Sequence, residues 1–334
     1  MQRVPVALIG AGRLGARHAR TLATQVPEAE LTVVADSVAT TARAVAETLP
    51  GVAWSADPLA VIGDPTIPAV VLVTPTDTHA PLIEAAAAAG KDIFCEKPIA
   101  LDLATTDRAL AAVRTAGVRF QIGFQRRFDP DYQRVARLVR SGELGTPALL
   151  RATLRDITPP SAAYLATSGG IFVDMGVHDF DAARFVLGSE IVEVYAMGAV
   201  RTGSPFADLN DADTATVALR FASGALGQID LSRQAVYGYD VRLEVLGTVA
   251  TARVDEQRAS QVSLLTSAGR THDVIPNFPE RFAQAYANEL AHFVAGVMTR
   301  AEPACTGEDG RRALEVALAA TESWRTNRPV RLTP

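Results

Sequence analysis

The chain has 334 residues, of which 48% are hydrophobic and 21% charged, with a formal net charge of -5. That length is too great for one comfortable core, so two domains are expected. No apolar stretch nears the roughly 20 residues of a membrane span. The lack of a basic run argues against nucleic acid, which calls for a concentrated Lys/Arg surface.

The first strand, Val6 to Ile9, is followed at once by Gly10-Ala11-Gly12-Arg13-Leu14-Gly15 and is needed in the core, which leaves no room for a cleavable signal. Short β-branched runs then alternate with helical stretches, the pattern of a parallel sheet built from βαβ units. Strands are expected over Leu31–Ala35, Ala69–Val73, Asp92–Cys95 and Arg119–Ile122, each nearly all apolar, as strands covered on both faces must be. Helices are expected over Leu14–Ala23, Thr40–Leu49, Ala80–Ala89 and Leu103–Ala116, with Gly90 and Gly117 as stops. After Phe124 the rhythm changes. A helix over Tyr132–Ser141 leads into longer strands at Ala148–Arg155, Val192–Val200, Ala215–Phe221, Leu226–Ser232, Asp240–Leu246 and Val262–Thr266. Several alternate polar with apolar residues, implying an antiparallel sheet with one buried and one more open face. Gly224 and Gly247 mark hairpin turns, a helix is expected from about Gly170 to Leu187, and helices at Arg281–Thr299 and Glu308–Thr326 close the chain.

The glycine turn follows a strand and opens a helix, the context in which Gly-x-Gly-x-x-Gly holds a dinucleotide. Gly10 permits the tight turn, Gly12 lets backbone approach a pyrophosphate, Gly15 lets helix and strand pack closely, and the helix N-terminus faces the phosphates. Asp36, at the end of the second strand, either accepts hydrogen bonds from ribose hydroxyls, which favours NAD over NADP, or only starts a turn before Ser37. Arg13 and Arg43 are the cations nearest to soften that preference.

Five histidines supply the candidates for a base at neutral pH. His178 lies four residues after Asp174, so on a helix the two share a face. By spacing alone this is either a catalytic pair or a solvated surface pair. Asp179 and Asp181 are competing carboxylates. Lys97, in Glu96-Lys97-Pro98 at the end of a strand, is either a donor to a substrate oxygen or the partner of Glu96 in an ion pair; Pro98 holds it in extended backbone. Thr74-Pro75 ends the strand that should pass beneath the nicotinamide ribose, and His79 after it is cofactor-side or structural. His18 reads as a packing residue, and His272 and His292 carry no signal. Arg126-Arg127 either offers forked donors to a bound ligand or has no role. Tyr237 either closes over a ligand or packs at a subunit contact. Cys95 and Cys305 fit no metal or redox spacing, which suits a reducing cytoplasm, and no metal site is recognisable.

With the glycine turn, Thr74-Pro75-Thr76-x-x-His79, Glu96-Lys97-Pro98 and Gly123-Phe124-Gln125-Arg126-Arg127-Phe128-Asp129 in this order, the chain resembles the Gfo/Idh/MocA oxidoreductases over essentially its whole length. Within that family, Arg155-Asp156-x-x-Pro159-Pro160 and Gly169-Gly170-x-x-x-Asp174-Met175-x-x-His178-Asp179-Phe180-Asp181 look like inositol 2-dehydrogenases. The resemblance implies an NAD-binding Rossmann domain over 1–124. It also implies a C-terminal α+β domain over 125–334, with a large, mostly antiparallel open sheet that binds substrate and joins subunits into dimers or tetramers. The implied activity is NAD-dependent oxidation of a ring secondary alcohol, most like myo-inositol to its 2-ketone, in polyol catabolism. Carried over, Lys97, Asp174 and His178 are catalytic. Gly10, Gly12, Arg13, Leu14, Asp36, Ser37, Thr74, Pro75, His79, Glu96 and Lys97 hold NAD, while Lys97, Arg126, Asp156, Asp174, His178 and Tyr237 meet the substrate. Some inositol dehydrogenases carry an asparagine at the position of Asp156, with a histidine two residues before it, where this chain has Leu154; that departure leaves the isomer open. The alternatives are another cyclitol, an aldose or an anhydrosugar as substrate, a sugar-responsive regulator, and a glycosidase using held NAD.

Overall fold

A computed structural model describes residues 3–203 and 205–333; residues 1, 2 and 334, at the ends of the two expected domains, lie outside the described residues. The chain forms two compact units, Met1–Phe128 with Gln284–Leu314, and Asp129–Ala283 with Glu315–Pro334.

The first unit runs β1 (Val4–Ile9), α1 (Arg13–Gln25), β2 (Ala29–Ala35), α2 (Ala39–Ala46), β3 (Ala53–Ser55), α3 (Pro58–Gly63), β4 (Ala69–Leu72), α4 (His79–Ala88), β5 (Asp92–Glu96), α5 (Leu103–Ala116) and β6 (Phe120–Gly123). Among the described residues its strands form one parallel sheet in the order β3-β2-β1-β4-β5-β6. Every residue of β4, β5 and β6 is buried, as the apolar runs require. The chain turns outward in opposite directions from β1 and β4, the reversal at which open α/β sheets bind ligands beyond the strand ends. The edge strand β3 and the helix α3 were not expected. Ala53-Trp54-Ser55 is too short and too exposed to show an apolar run. The α3 start is marked instead by Asp57, which accepts from the Ala60 N–H (3.0 Å), and by Pro58 in its first turn.

The second unit contains α6 (Pro130–Arg140), β7 (Pro147–Arg155), α7 (Ala162–Leu165), α8 (Val177–Leu187), β8 (Ile191–Ala199), β9 (Thr214–Phe221), β10 (Leu226–Ser232), β11 (Asp240–Gly247), β12 (Thr251–Val254), β13 (Arg258–Thr266), β14 (Gly269–Val274) and α9 (Phe278–Arg281). The large sheet, with β15 (Val330–Arg331) at one edge, has the order β12-β11-β7-β10-β9-β8-β15, antiparallel except where β10 pairs with β7. Strand β9 alternates buried and open positions, so one face is core and the other is not. Gly224 makes the β9–β10 turn; Gly247 instead ends β11, and the turn lies beyond it. The expected continuous helix from Gly170 is a π-helical turn, Phe172–Gly176, running into α8.

Two long helices, α10 (Ala283–Thr299) and α11 (Gly307–Thr326), lie past the expected boundary at 124/125, and the compact units place Gln284–Leu314 with the first sheet. Leu290, Phe293 and Val294 of α10 are buried in the core cluster of the first unit with Val6, Leu8, Leu31 and Phe94. An apolar stripe at i, i+3 and i+4 says that a helix face is buried but not against which sheet. In the opening turns of α11, Gly310 packs on Ile99 and Ile122, so this part also belongs to the first unit.

Candidate active site

In the first unit, Gly10 has φ +98°, and a Cβ there would meet the Val73 carbonyl oxygen at 2.5 Å. Gly15 is closed against the Gly10 carbonyl, so both positions exclude any side chain. Gly12 differs: a Cβ there would touch nothing within 4 Å, leaving the turn open on the side from which a phosphate approaches. It is the N-cap of α1, with no side-chain cap and no acidic residue in the first turn. The uncapped N–H groups and the helix dipole therefore suit a pyrophosphate. The Asp36 carboxylate accepts from the Ala11 N–H (2.8 Å) and the Val38 N–H (2.9 Å), tying the end of β2 to the turn. It thus starts a turn, as one reading held, and it also stays part-open beyond the end of β2. Arg13 and Ser37 are exposed, Leu14 half-buried, and the Arg43 guanidinium is held by Glu47 (2.7 Å).

At the ends of β4 and β5 the exposed Pro75 follows Thr74, whose carbonyl faces His79 Nε2 (2.8 Å) while His79 Nδ1 faces the Pro98 carbonyl (2.7 Å). Burial pushes the His79 pKa down, opposed by these two carbonyls. The ring is fully enclosed. It cross-links Thr74 to the turn carrying Lys97. Glu96 Oε1 meets His18 Nε2 at 2.7 Å, both buried, with His18 packed against Phe94 and Tyr286. The packing reading of His18 holds, with the Glu96 contact added; Glu96 joins α1 to the end of β5. Lys97 is half-buried. Arg126 is buried in the turn after β6, and the neighbouring Arg127 donates to Asp309 (2.8 Å).

In the second unit, Gly170 has φ +86° and packs on the Asp211 carboxylate, which also accepts from the Ile171 N–H (3.0 Å). That anchor starts the π-helical turn. From Ile171 to Arg184 every side chain is buried except Asp174 and His178, which are half-buried. In a stretch otherwise given to the core, Asp174 and His178 are the two side chains left partly open, and π-turns are frequent at functional sites. Asp179 and Asp181 are buried, Asp181 lying 3.7 Å from Arg184, whose guanidinium grips Glu190 through two bonds of 2.7 Å. Asp181 is thus part of a structural network.

Two residues escaped the sequence reading. Tyr164 of α7 donates its hydroxyl to Asp174 Oδ1 (2.7 Å), and Arg233, just after β10, donates from Nη1 to Asp174 Oδ2 (2.7 Å) and lies 3.9 Å from Asp156. Burial, then the adjacent Asp174 charge, pushes the Tyr164 phenol well above the usual tyrosine range, so it stays a donor. Asp156 and Asp174 are therefore brought together around one cation. Tyr237 joins a different group: its hydroxyl donates to Asp240 (2.6 Å) and accepts from Arg155 (2.9 Å), in an open groove of about 590 Å³ on the sheet.

Residues 4–124 match the family model described as "Oxidoreductase family, NAD-binding Rossmann fold", and residues 136–332 that of "Oxidoreductase family, C-terminal alpha/beta domain". A scyllo-inositol 2-dehydrogenase (NAD(+)) of Bacillus subtilis is 42% identical, over 99% of this chain and 96% of its own. A myo-inositol 2-dehydrogenase of Thermotoga maritima is 41% identical, over 98% of each. The crystal structure of a myo-inositol dehydrogenase from Corynebacterium glutamicum superposes with a TM-score of 0.94 at 38% identity, covering 99% of both chains. The uncapped glycine turn on a parallel sheet and the outward Asp174 and His178 are thus carried on a chain that belongs to the Gfo/Idh/MocA oxidoreductases.

Proposed function

We propose that this enzyme oxidises a ring secondary alcohol of a cyclitol with NAD, taking myo-inositol to 2-keto-myo-inositol, in the cytoplasm and as a homo-oligomer in polyol catabolism. The observation that carries this reading is the exposure of Asp174 and His178 from an otherwise buried helical stretch, beside the Asp156–Arg233 pair. A neutral polyol needs several acceptors and donors on a firm base, and that cluster supplies both.

In this reading His178 removes the hydroxyl proton as the carbon–hydrogen bond breaks, and Asp174 favours the imidazolium that results. Lys97 donates a hydrogen bond to the same oxygen as negative charge develops on it. NAD held on the glycine turn would supply the acceptor for the hydride. Gly10, Gly12, Arg13 and Leu14 would hold its pyrophosphate, Asp36 and Ser37 its adenosine ribose, and Thr74 and Pro75 its nicotinamide end. Asp36 would repel a 2'-phosphate, which favours NAD over NADP. Asp156 and Arg126 recognise ring hydroxyls.

The similarity to the Bacillus subtilis enzyme gives scyllo-inositol as the second candidate. NADH formation with NAD and each of myo-inositol, scyllo-inositol, chiro-inositol and glucose separates them, and myo-inositol is expected to have the highest kcat/KM. His178→Ala is expected to lower turnover by about a hundredfold or more while NAD still binds. Near-normal turnover in that variant would remove His178 as the base. Wild-type silence with every polyol would instead favour a regulator, or a glycosidase recognisable by hydrolysis without net NADH.

A further inference from the structure

Arg233 is 1% exposed, one of the largest fully buried side chains among the described residues. A guanidinium does not give up its proton in a protein, so this is a permanent buried cation. Its Nε and Nη2 have no hydrogen-bond partner among the described residues, and its Nη1 meets Asp174 at 2.7 Å, with Asp156 at 3.9 Å. The charge is thus balanced by the two carboxylates of the proposed substrate site. A buried cation left without its counter-ion is strongly destabilising, so the pair is kept together, and the enclosed guanidinium holds the more open Asp174 carboxylate in place. Tyr164 pins the other carboxylate oxygen at 2.7 Å. Asp174 is half-buried and sits on a π-helical turn, a departure from regular helix that is frequent at functional sites.

We propose that Arg233 is a positioning residue of the reaction, which clamps the Asp174 carboxylate against Tyr164 and so fixes the acid beside His178 without touching substrate. The proposal rests on the dehydrogenase reading above. It assigns to Arg233 a part in turnover that its position in the sequence gives no hint of, since its partners lie 59 and 77 residues earlier.

The test compares Arg233→Lys, Arg233→Met and Tyr164→Phe with wild type, using the polyol that wild type turns over best, well below each variant's Tm. Arg233→Lys keeps the charge but loses the rigid planar fork. A displaced acid lowers kcat, so Arg233→Lys is expected to lose about tenfold in kcat and Arg233→Met about a hundredfold, with KM for NAD unchanged in both. Tyr164→Phe removes one hydroxyl from a half-exposed ring and is expected to lose several-fold in kcat. It keeps the proposal open to refutation where the arginine variants do not fold. A second readout needs no substrate: Asp174→Asn is expected to lower Tm by stranding the cation, and Arg233→Met/Asp174→Asn to recover it. An unchanged kcat in Arg233→Lys and Tyr164→Phe, or a loss confined to KM for NAD, overturns the proposal. No recovery of Tm in the double variant overturns it as well. Silence of the wild type with every polyol is the separate outcome that overturns the dehydrogenase reading itself.

Discussion

At the scale of single residues, Asp36 bears two loads. Its carboxylate accepts the Ala11 and Val38 N–H groups, and it stands where an adenosine ribose is proposed to bind. Hydrogen bonds to a charged group contribute about 1.5–3 kcal/mol each, so Asp36→Ala is expected to loosen the glycine turn and to narrow the ratio of kcat/KM for NAD over NADP. Asp36→Asn separates the two effects, because the amide oxygen can still cap Val38 while the negative charge is gone. A preference for NAD unchanged in both variants would remove Asp36 from the ribose site. The glycine turn was visible in the sequence because its geometry is local, a turn before a helix; the i, i+4 spacing of Asp174 and His178 left a catalytic and a surface pair open, and the family resemblance chose between them. Arg233, Tyr164 and the His18–Glu96 contact were not visible, since each pair is made by tertiary packing across tens of residues or, for Tyr164, by a short helix with no periodicity.

Among the elements, the strands of the first sheet were legible because two covered faces demand unbroken apolar runs. What the pattern left out is where a helical stripe docks. Phe293 of α10 sits edge-on to Phe94 of β5, with ring centroids 5.9 Å apart, in the core of the first unit. Phe293→Ala is accordingly expected to destabilise this unit by about 3–5 kcal/mol, the usual cost of a large cavity. Urea unfolding followed by fluorescence checks this: Trp54 reports on the first unit and Trp324 on the second. Removing each tryptophan in turn shows which transition moves. A shift seen only through Trp324 would place α10 with the other sheet, as the contiguous division at residue 124 implied. The π-helical turn before α8 was equally hidden, because a single extra residue per turn leaves the apolar pattern of Ile171 to Arg184 almost unaltered.

For the whole molecule, the open face of the large sheet matters most. Met197 is 53% and Val236 90% exposed, and Leu226 and Tyr237 lie uncovered on the same unit. The groove that Met197, Val236 and Tyr237 line also carries Arg155 and Asp230, and these charges are already paired, at 2.7 Å between Arg155 and Asp230 and through Tyr237 to Asp240. Covering a face whose charges satisfy one another costs less than covering isolated ones, and an exposed apolar patch on a sheet is the usual mark of a contact surface. A second copy of this chain is the proposed cover. Sedimentation is expected to give a mass that is a multiple of 35.3 kDa. Met197→Asp with Val236→Asp is expected to shift it toward the single-chain value, because two unpaired carboxylates would be buried in the contact. Since the glycine turn, Asp36 and Thr74-Pro75 belong to the first unit and do not line this groove, NAD binding should survive in the dissociated form. A wild-type mass of one chain would leave the face without a partner copy, whereas an oligomer that the double variant leaves intact would move the contact to another surface.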